Sequence, residues 1–359
     1  MKQVIVKGKI TKRTYCPSCF SILSWDSSEV EKSGLVKCPV CQGAVKCNKA
    51  EIVLSELVED KDITAIIDGV AYTSETLIEG IKQVAQKGGN ITLNSDLKIE
   101  EPISFEGVEV TIDLNNHTLD LVNTGLTLKD SKVVINGGVN GKIVSQASDA
   151  FILSNADLTL NEGSYELAKW GLDLKAKSKA TFNNIKMQSK EGTITLFEKS
   201  AIVINNSELT ALDNYVIGTH GTEKDIVKYI TINNSIINGE IISAGYISCG
   251  IYAASDAKII INGGEINSKS GCGILMRSGK VECNNVIINA KGNIEGQVGD
   301  AKNKIKCDGI AYDTIANYPD KNTLNLVIDK NTKIITENGQ RIGLYLAEGD
   351  EANIQDKGE

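Results

Sequence analysis

The sequence predicts an all-β protein whose larger part is a right-handed parallel β-helix with a helical N-terminal cap, preceded by a small zinc ribbon. Three observations predict this architecture. A short apolar motif ending in asparagine recurs along most of the chain, a second apolar motif keeps a nearly constant distance from it, and two Cys-x-x-Cys motifs lie near the N-terminus. The predicted boundaries are 1–50 for the ribbon, 51–72 for a linker, 73–89 for the capping helix and 90–359 for the β-helix, whose C-terminal part is irregular.

The composition is typical of a folded chain that is rich in strands. The chain has 359 residues, of which 41% are hydrophobic and only 5% aromatic, with four prolines. Residues 1–49 carry a formal charge of +6 and the remainder carries −14. Neither a signal peptide nor a run of eighteen apolar residues is evident, so we expect synthesis in the cytoplasm and no membrane partner.

The two Cys-x-x-Cys motifs have the spacing of a structural zinc site. Each motif can present two thiolates from one tight turn, and together the turns complete a tetrahedron with no open position for a substrate. We therefore predict Zn²⁺ as a structural cofactor, with short strands around Tyr15 and Val36–Lys37. The basic residues of this segment could contact phosphates, but without an aromatic platform beyond Tyr15, Phe20 and Trp25 the sequence favours docking to a protein over contact with nucleic acid. The predicted ligands are Cys16, Cys19, Cys38 and Cys41.

Residues 73–89 have the pattern of an amphipathic helix that covers the first turn of a solenoid. Thr73 or Ser74 can serve as the N-cap, and apolar residues recur at helical spacing from Leu77 to Ala85. Gly88 and Gly89 end the helix before the first strand. A cap is needed because the end of a stack exposes apolar side chains and unpaired backbone groups.

Eight apolar–x–apolar triplets, each followed by asparagine, mark the first track of the predicted β-helix. Alternate residues of each triplet are expected to point inward, and the asparagine to take the left-handed conformation that a turn requires. Stacked asparagines can also hydrogen-bond along the axis as a ladder. The ladder residues are Asn115, Asn136, Asn161, Asn183, Asn205, Asn233, Asn262 and Asn284.

A second track of apolar triplets precedes the first by about eight residues. It includes Leu126-Thr127-Leu128, Tyr215-Val216-Ile217 and Ile274-Leu275-Met276, and glycine often precedes it. Two tracks in phase favour a β-helix over a sandwich, whose strands would not repeat this turn chemistry. After a less regular stretch near 290–335, Leu344-Tyr345-Leu346 resumes the second track, and the acidic segment from Glu348 onward is expected to prevent further stacking.

The helix–strand opening from Leu77 to Leu121, together with rungs that contain Ile-Asn-Gly-Gly or Ile-Asn-Asn, resembles the pectate-lyase-like right-handed β-helices common in bacteriophage virion proteins. The resemblance covers roughly residues 65–345 and concerns architecture. It implies the fold but not one activity, because lyases, hydrolases, adhesins and phage fibres share it.

The outward positions of the two tracks give little sign of a catalytic site. Lyases and hydrolases of this architecture cluster acids on one outward face, whereas here the second track offers only Asp173, and Asp113 and Glu282 lie many rungs apart on the first. We interpret His117 and His220 as turn or loop residues, and two tryptophans are too few for a sugar-stacking surface. The sequence therefore favours a role other than catalysis.

These observations favour a structural bacteriophage virion protein: a capsid decoration, head-fibre or tail/baseplate component with the ribbon as docking module and the β-helix as projecting rod. The expected partners are other virion subunits or two further copies in a homotrimer. They would cover a charge-poor strip that includes Val134, Val203 and Ile260. The alternative is a protein that binds or cleaves a host surface glycan through insertions at 218–228 or 238–249. The third hypothesis is a nucleic-acid-associated ribbon.

Two cysteines are predicted to lie at equivalent positions of neighbouring rungs. Cys249 and Cys272 each directly precede the Gly-Ile that opens a second-track strand. Neighbouring strands are about 4.8 Å apart, which is within the Cα separation that a disulfide spans. Because the cytoplasm is reducing, we expect a pair of stacked thiols rather than a disulfide.

Overall fold

The computed structural model divides the chain into two compact units, Met1–Asp62 and Ile63–Glu359. Each is described by itself. The described residues are 12–15, 22–25, 35–38, 40–41, 44–46, 63–220, 227–240, 249–269, 271–290, 308–313, 323–336, 343–346 and 351–356.

The first unit contains two antiparallel strand pairs. Strands β1 (Lys12–Tyr15) and β2 (Ile22–Trp25) pair with each other, as do β3 (Leu35–Lys37) and β4 (Ala44–Lys46). The strands expected around Tyr15 and Val36–Lys37 are therefore present.

The second unit is nearly all-β and solenoid-like, because parallel strands stack in three columns. In column A the strands are β7 (Gly89–Leu93), β10 (Glu109–Asp113), β13 (Lys132–Asn136), β16 (Asp157–Asn161), β19 (Lys179–Asn183), β22 (Ala201–Asn205), β25 (Lys228–Gly239), β27 (Ala257–Ser268), β29 (Gly279–Asn284), β32 (Thr323–Ile328) and β35 (Glu351–Asp356). Column A corresponds to the first predicted track.

Column B follows column A in each described rung from β7 to β32, and the sequence tracks did not predict it. Its strands are β8 (Leu97–Lys98), β11 (Thr118–Asp120), β14 (Lys142–Ser145), β17 (Ser164–Leu167), β20 (Lys186–Ser189), β23 (Glu208–Ala211), the second halves of β25 and β27, β30 (Ile287–Ala290) and β33 (Lys333–Thr336).

Column C is a separate parallel sheet that corresponds to the second predicted track. Its strands are β9 (Ile103–Glu106), β12 (Leu126–Lys129), β15 (Asp149–Ser154), β18 (Trp170–Lys175), β21 (Ile194–Leu196), β24 (Ile217–Thr219), β26 (Ile251–Ala253), β28 (Ile274–Met276), β31 (Ile310–Tyr312) and β34 (Leu344–Leu346). The arrangement of the three columns is compatible with a β-helix.

The interior is a continuous stack of apolar side chains. Along column A the buried residues alternate with partly exposed ones, as the period of a strand requires, so that Ile135, Leu160, Phe182, Ile204 and Ile232 are fully buried at successive levels. Column C contributes a facing row of leucines and isoleucines to the same core. Hydrophobic burial along this axis stabilises the stacking of the rungs.

The N-terminal cap is larger than the predicted helix. Strands β5 (Ala65–Ile67) and β6 (Val70–Tyr72) form a hairpin within the predicted linker, and β5 pairs antiparallel with β7. The interpretation of these residues as linker missed the hairpin because its strands are only three residues long. Helix α1 (Leu77–Lys87) follows, and its buried side packs against β5, β7 and β9.

The ends of α1 agree only in part with the sequence interpretation. The N-cap is Thr76 rather than Thr73 or Ser74, and the carbonyl of Thr73 instead accepts hydrogen bonds from the backbone of Thr76 and Leu77. Gly88 ends the helix with a φ of 77°, a left-handed value that glycine adopts without strain.

The described strands of the C-terminal part continue the stack. Strands β31, β32 and β33 lie within or next to the stretch interpreted as irregular, and each pairs in parallel with the preceding rung. The acidic segment does not end the stacking either, because β35 pairs with β32 along its whole length. Among the described residues, no helix is long and apolar enough to cross a membrane.

Candidate functional site

The predicted zinc ligands fall between paired strands. Residues 16–21 connect β1 to β2, and Cys38 and Cys41 lie between β3 and β4, with Cys38 buried and Cys41 exposed. A Cys-x-x-Cys turn between two short antiparallel strands suits a zinc ligand pair. Cys16 and Cys19 lie outside the described residues. Within the described residues alone, no group of three or more His, Cys, Asp or Glu side chains could hold a metal ion.

Seven of the eight predicted ladder asparagines form one continuous series of hydrogen bonds. In every case Nδ2 of one asparagine donates to Oδ1 of the asparagine one rung earlier, at 2.8–2.9 Å. The members are Asn136, Asn161, Asn183, Asn205, Asn233, Asn262 and Asn284. A second, shorter ladder joins Asn238, Asn267 and Asn289 in column B.

Asn115 is not a member of the ladder. Asp113 is the strand partner of Asn136, so the triplet of this rung is Val110-Thr111-Ile112 and the predicted register was two residues too late. Asn115 instead lies in the following turn with a φ of 47°, and its Nδ2 donates to the carbonyl of Leu93 at 3.1 Å.

The turn after the ladder is made by the next residue, not by the ladder asparagine as predicted. Positive φ values occur at Asn184, Asn206, Asn234 and Asn285, each directly after a ladder asparagine. A left-handed backbone costs asparagine less than most other residues.

The strip residues Val134, Val203 and Ile260 lie in one outward row of column A. Strand register places Thr159 and Thr181 between the first two and Thr231 before Ile260, so the row is uninterrupted. All of these side chains are half-buried within the chain itself.

The outward side of column C differs from the solvated surface that the second track suggested. Tyr252, Leu275 and Ala311 occupy successive outward positions and are buried, and together with Tyr215 they belong to a second apolar cluster outside the main core. The triplet Tyr215-Val216-Ile217 was also placed two residues too early, because Ile217 is the strand partner of Ile194. Tyr215 therefore precedes its strand.

At one edge of this cluster, aromatic rings and polar groups meet in what we call the Trp170 face: Trp170, Asp173, Lys175, Phe197, Tyr215 and His220. The centroid of the half-buried Trp170 ring lies 5.6 Å from that of Tyr215. The His220 ring lies 5.6 Å from Phe197 and 5.9 Å from Tyr215, and Lys175 Nζ lies 5.5 Å from the Phe197 centroid.

Two glycines allow the Tyr215 ring to lie against the sheet. A Cβ atom at Gly192 would overlap the Trp170 ring and press on Tyr215, and one at Gly218 would overlap Tyr215 itself. Neither glycine has a positive φ. They are therefore required here for space and not for backbone conformation.

Tyr215 links the polar groups of the face. Its hydroxyl shares a 3.0 Å hydrogen bond with His220 Nε2 and a 3.3 Å hydrogen bond with the hydroxyl of Thr195. Burial raises the pKa of Tyr215, so the phenol stays protonated at neutral pH and can orient the imidazole.

Asp173 supplies the carboxylate of the Trp170 face, and burial of this side chain disfavours its charged form. Its side chain is only 14% exposed, and Oδ2 lies 3.2 Å from Lys175 Nζ. Desolvation raises the pKa of Asp173, the charge of Asp149 raises it further, and the hydrogen bond and charge of Lys175 oppose both effects. A desolvated carboxyl near a histidine and a half-buried aromatic ring is a combination found in ligand-binding sites.

Sequence reasoning did not find this face. Trp170 and His220 are fifty residues apart in the sequence, and Asp149 lies outside the second-track triplets. The available signal was that Gly192 and Gly218 leave room on the sheet where other rungs carry larger residues, next to the three aromatic residues at 170, 197 and 215.

No protein-family model matches the chain, and neither a curated protein nor a solved structure is significantly similar to it.

Proposed function

We propose that this chain is a structural protein of a bacteriophage particle, with a right-handed parallel β-helix as projecting rod and an N-terminal zinc ribbon as docking module. The observation that carries the proposal is the unbroken parallel stacking of column A from β7 to β35. These eleven strands span about 48 Å at about 4.8 Å per step.

The asparagine ladder supports a mechanical role. A row of amides that bond from rung to rung adds to the backbone hydrogen bonds and resists sliding of one rung over the next. In the stretch from Asn136 to Asn284 this support is continuous. A rod stiffened in this way can hold a binding element at a fixed distance from its attachment point.

The ribbon supports attachment. The four cysteines fit structural Zn²⁺, which would fix the two hairpins of a segment too small to fold on its own core. Its positive charge, against the negative charge of the rest of the chain, suits docking to an acidic partner subunit. Capsid decoration, head fibre and tail or baseplate component are the particle locations consistent with this arrangement.

Labelling of purified particles tests the proposal. Particles from a host that produces this protein are reacted with an antibody against residues 63–359 and gold, and then imaged in negative stain. We expect gold at one defined location on each particle. Label found only on free protein in the lysate, with none on particles, would overturn the proposal.

A second candidate function is recognition of a glycan, and the Trp170 face favours it. A half-buried indole beside an aspartate, a lysine and a histidine offers stacking for a sugar ring together with hydrogen-bond donors and acceptors. If the glycan were cleaved, Asp173, with its raised pKa, would be the group suited to donate a proton.

Binding to immobilised oligosaccharides, including acidic ones, tests this candidate. We expect Trp170→Ala to reduce binding by at least tenfold, whereas Tyr229→Ala, which removes an exposed aromatic ring from column A, leaves it unchanged. Equal binding by both variants would argue against the Trp170 face as the glycan site without affecting the structural role.

A further inference from the structure

Cys249 and Cys272 occupy equivalent positions of neighbouring rungs at the start of column C. The strand register pairs Ile251 with Ile274, and the backbone N–H of Gly250 donates to the carbonyl of Cys272 at 3.3 Å. Parallel neighbours in a sheet are about 4.8 Å apart, inside the 4.4–6.8 Å range of Cα separations in disulfides. The two Cα atoms therefore lie within the range that a disulfide spans, and a small local shift would bring the Cβ atoms to the roughly 3.5–4.5 Å that it also requires.

Both side chains are fully buried thiols that contact each other. A hydrogen bond from Cys272 lowers the pKa of Cys249, with a smaller contribution from the charge of Arg277. Burial raises the pKa of Cys272. Cys249 is therefore the sulfur atom that more readily becomes a thiolate, and the thiolate is the reactive form of cysteine.

Arg277 is itself held in place inside the protein. Its side chain is completely buried, and Nη1 lies 3.2 Å from Asp313 Oδ2 and donates to the Asp313 carbonyl at 2.6 Å. Its guanidinium lies 5.7 Å from the centroid of the Tyr252 ring. The charge of Arg277 favours an anionic Cys249 sulfur, and its ion pair with Asp313 limits that effect.

We propose that Cys249 and Cys272 form a peroxide-responsive dithiol that converts to a disulfide and staples the two rungs together. The Cys249 thiolate attacks one oxygen of a small peroxide, the O–O bond breaks, and Cys249 becomes a sulfenic acid. The Cys272 sulfur then attacks the Cys249 sulfur, and the S–O bond breaks. In total the two thiols lose two electrons, and hydrogen peroxide is reduced to two water molecules.

The oxidation state of the stacked thiols depends on the redox conditions around the protein. In the cytoplasm the pair stays reduced. In an oxidising medium the covalent link would join residues that lie just before strands β26 and β28. A small peroxide suits the site because the two sulfur atoms are buried, and a bulky disulfide reagent would need the cover of Tyr252 and Leu275 to open.

Thiol mapping of the full-length protein tests the proposal. The reduced protein is treated with hydrogen peroxide, quenched with catalase, alkylated in denaturant and analysed by peptide mass spectrometry without reductant. We expect a cross-linked pair of peptides containing Cys249 and Cys272, with a mass about 2 Da below the sum of the two. Cys283 is the internal control, since its strand partners Ile261 and Ile328 offer no second thiol, and it should alkylate equally before and after treatment.

Single variants test the order of the two steps. In Cys272→Ser the sulfenic acid at Cys249 has no resolving thiol and should be trapped by dimedone, whereas Cys249→Ser should give several-fold less adduct at Cys272. Undiminished alkylation of both cysteines in the wild-type protein after peroxide would overturn the proposal. So would a disulfide that joins either of them to Cys307 or to a ribbon cysteine. The wild-type experiment shows whether the two cysteines form a disulfide even if a variant fails to fold.

Discussion

Asn-Asn pairs at the junction of columns A and B divide two tasks between adjacent residues. The first asparagine donates its amide along the ladder, and the second takes the left-handed conformation at which the chain passes from column A to column B. A glycine can replace the second residue, as Gly263 does with a φ of 74° after Asn262, but glycine has no side chain for the first task. The two positions therefore tolerate different substitutions.

The first prediction concerns Asn205, which lies in the middle of the ladder. Its side-chain amide donates to Asn183 and accepts from Asn233, so Asn205→Ala leaves two half-buried amides without these partners. The substitution should lower the free energy of unfolding by about 1–3 kcal/mol. Asn136→Ala, at the end of the ladder, removes only the bond from Asn161 and should cost less. Urea denaturation of both variants gives the comparison. Equal midpoints would show that the ladder adds little beyond local packing.

The second prediction concerns the charge on Asp173. Because burial raises its pKa above that of the unfolded chain, Asp173 stabilises the fold fully below the unfolded pKa of about 3.9, and this contribution is lost as pH rises through the folded pKa. Asp173→Asn has no charge to bury. Relative to the wild type, it should therefore gain stability between acid and neutral pH.

The matched control for this experiment is Asp157→Asn, which changes an exposed aspartate of column A. Thermal denaturation at several pH values between 3 and 8 would provide the data. A stability difference for Asp173→Asn that is the same at every pH would mean that the ion pair with Lys175 fully compensates the burial of the carboxylate.

At the scale of elements, the periodicity of apolar residues predicted columns A and C but not column B. Columns A and C were predicted because each strand carries two inward apolar residues at fixed phase, as in Val133 and Ile135. The strands of column B were not predicted because several of them have only one large apolar residue, such as Leu119 in β11. Buried serines occupy other inward positions of this column. The register errors at Asn115 and Tyr215 arose where a polar residue interrupts the motif.

The Trp170 face could not be predicted from periodicity because its residues do not occupy the apolar positions of the repeating motif. Its residues come from β18 and from the ends of neighbouring strands, and they meet only because rungs of 22 to 23 residues stack in register. The sequence around Trp170 gives no indication that this residue lies near His220, and the sequence around His220 gives none for Trp170. The zinc ligands are the opposite case, since their spacing is a local property of the chain.

The third prediction concerns the N-terminal cap. Gly80 lies on the buried side of α1, where a Cβ would press on the Ile67 and Tyr72 side chains of the hairpin. Gly80→Val should overpack this contact and destabilise the cap by about 1–3 kcal/mol. Gln83→Val on the exposed side of the same helix should change stability by only a few tenths of a kcal/mol. Denaturation midpoints that shift equally would show that the helix does not pack tightly on the hairpin.

The fourth prediction concerns the two N-terminal hairpins. The full-length protein should contain one zinc ion per chain, and Cys38→Ser should lose it, because three remaining ligands give a much weaker structural site. Cys283→Ser, in the core of column A, should keep the metal. Metal content is measured by elemental analysis after dialysis. An absence of zinc in the wild-type protein would contradict the ribbon hypothesis, as would full retention in Cys38→Ser.

At the scale of the whole second unit, its surfaces are unequal. Column C is covered by its own second apolar cluster over several rungs, whereas column A presents a half-buried row of β-branched residues that includes Val203, Thr231 and Ile260. Among the described strands the row contains one charged residue, Glu282, which is followed by Val327 and Gln355. A long strip with little charge is the surface on which a second rod or a neighbouring subunit could pack without desolvating ions.

The fifth prediction tests that strip. The double substitution Val203→Lys and Ile260→Lys places two charges in the row at positions that do not face the core, so the stack should remain folded by circular dichroism. Self-association, measured by sedimentation, or incorporation into particles should fall by at least tenfold, because burying two ammonium groups without partners is costly. Thr127→Lys, at an exposed outward position of column C, is the control and should assemble like the wild type. Normal assembly of the double variant would mean that this part of column A stays in contact with water in the particle, and that the partner binds elsewhere.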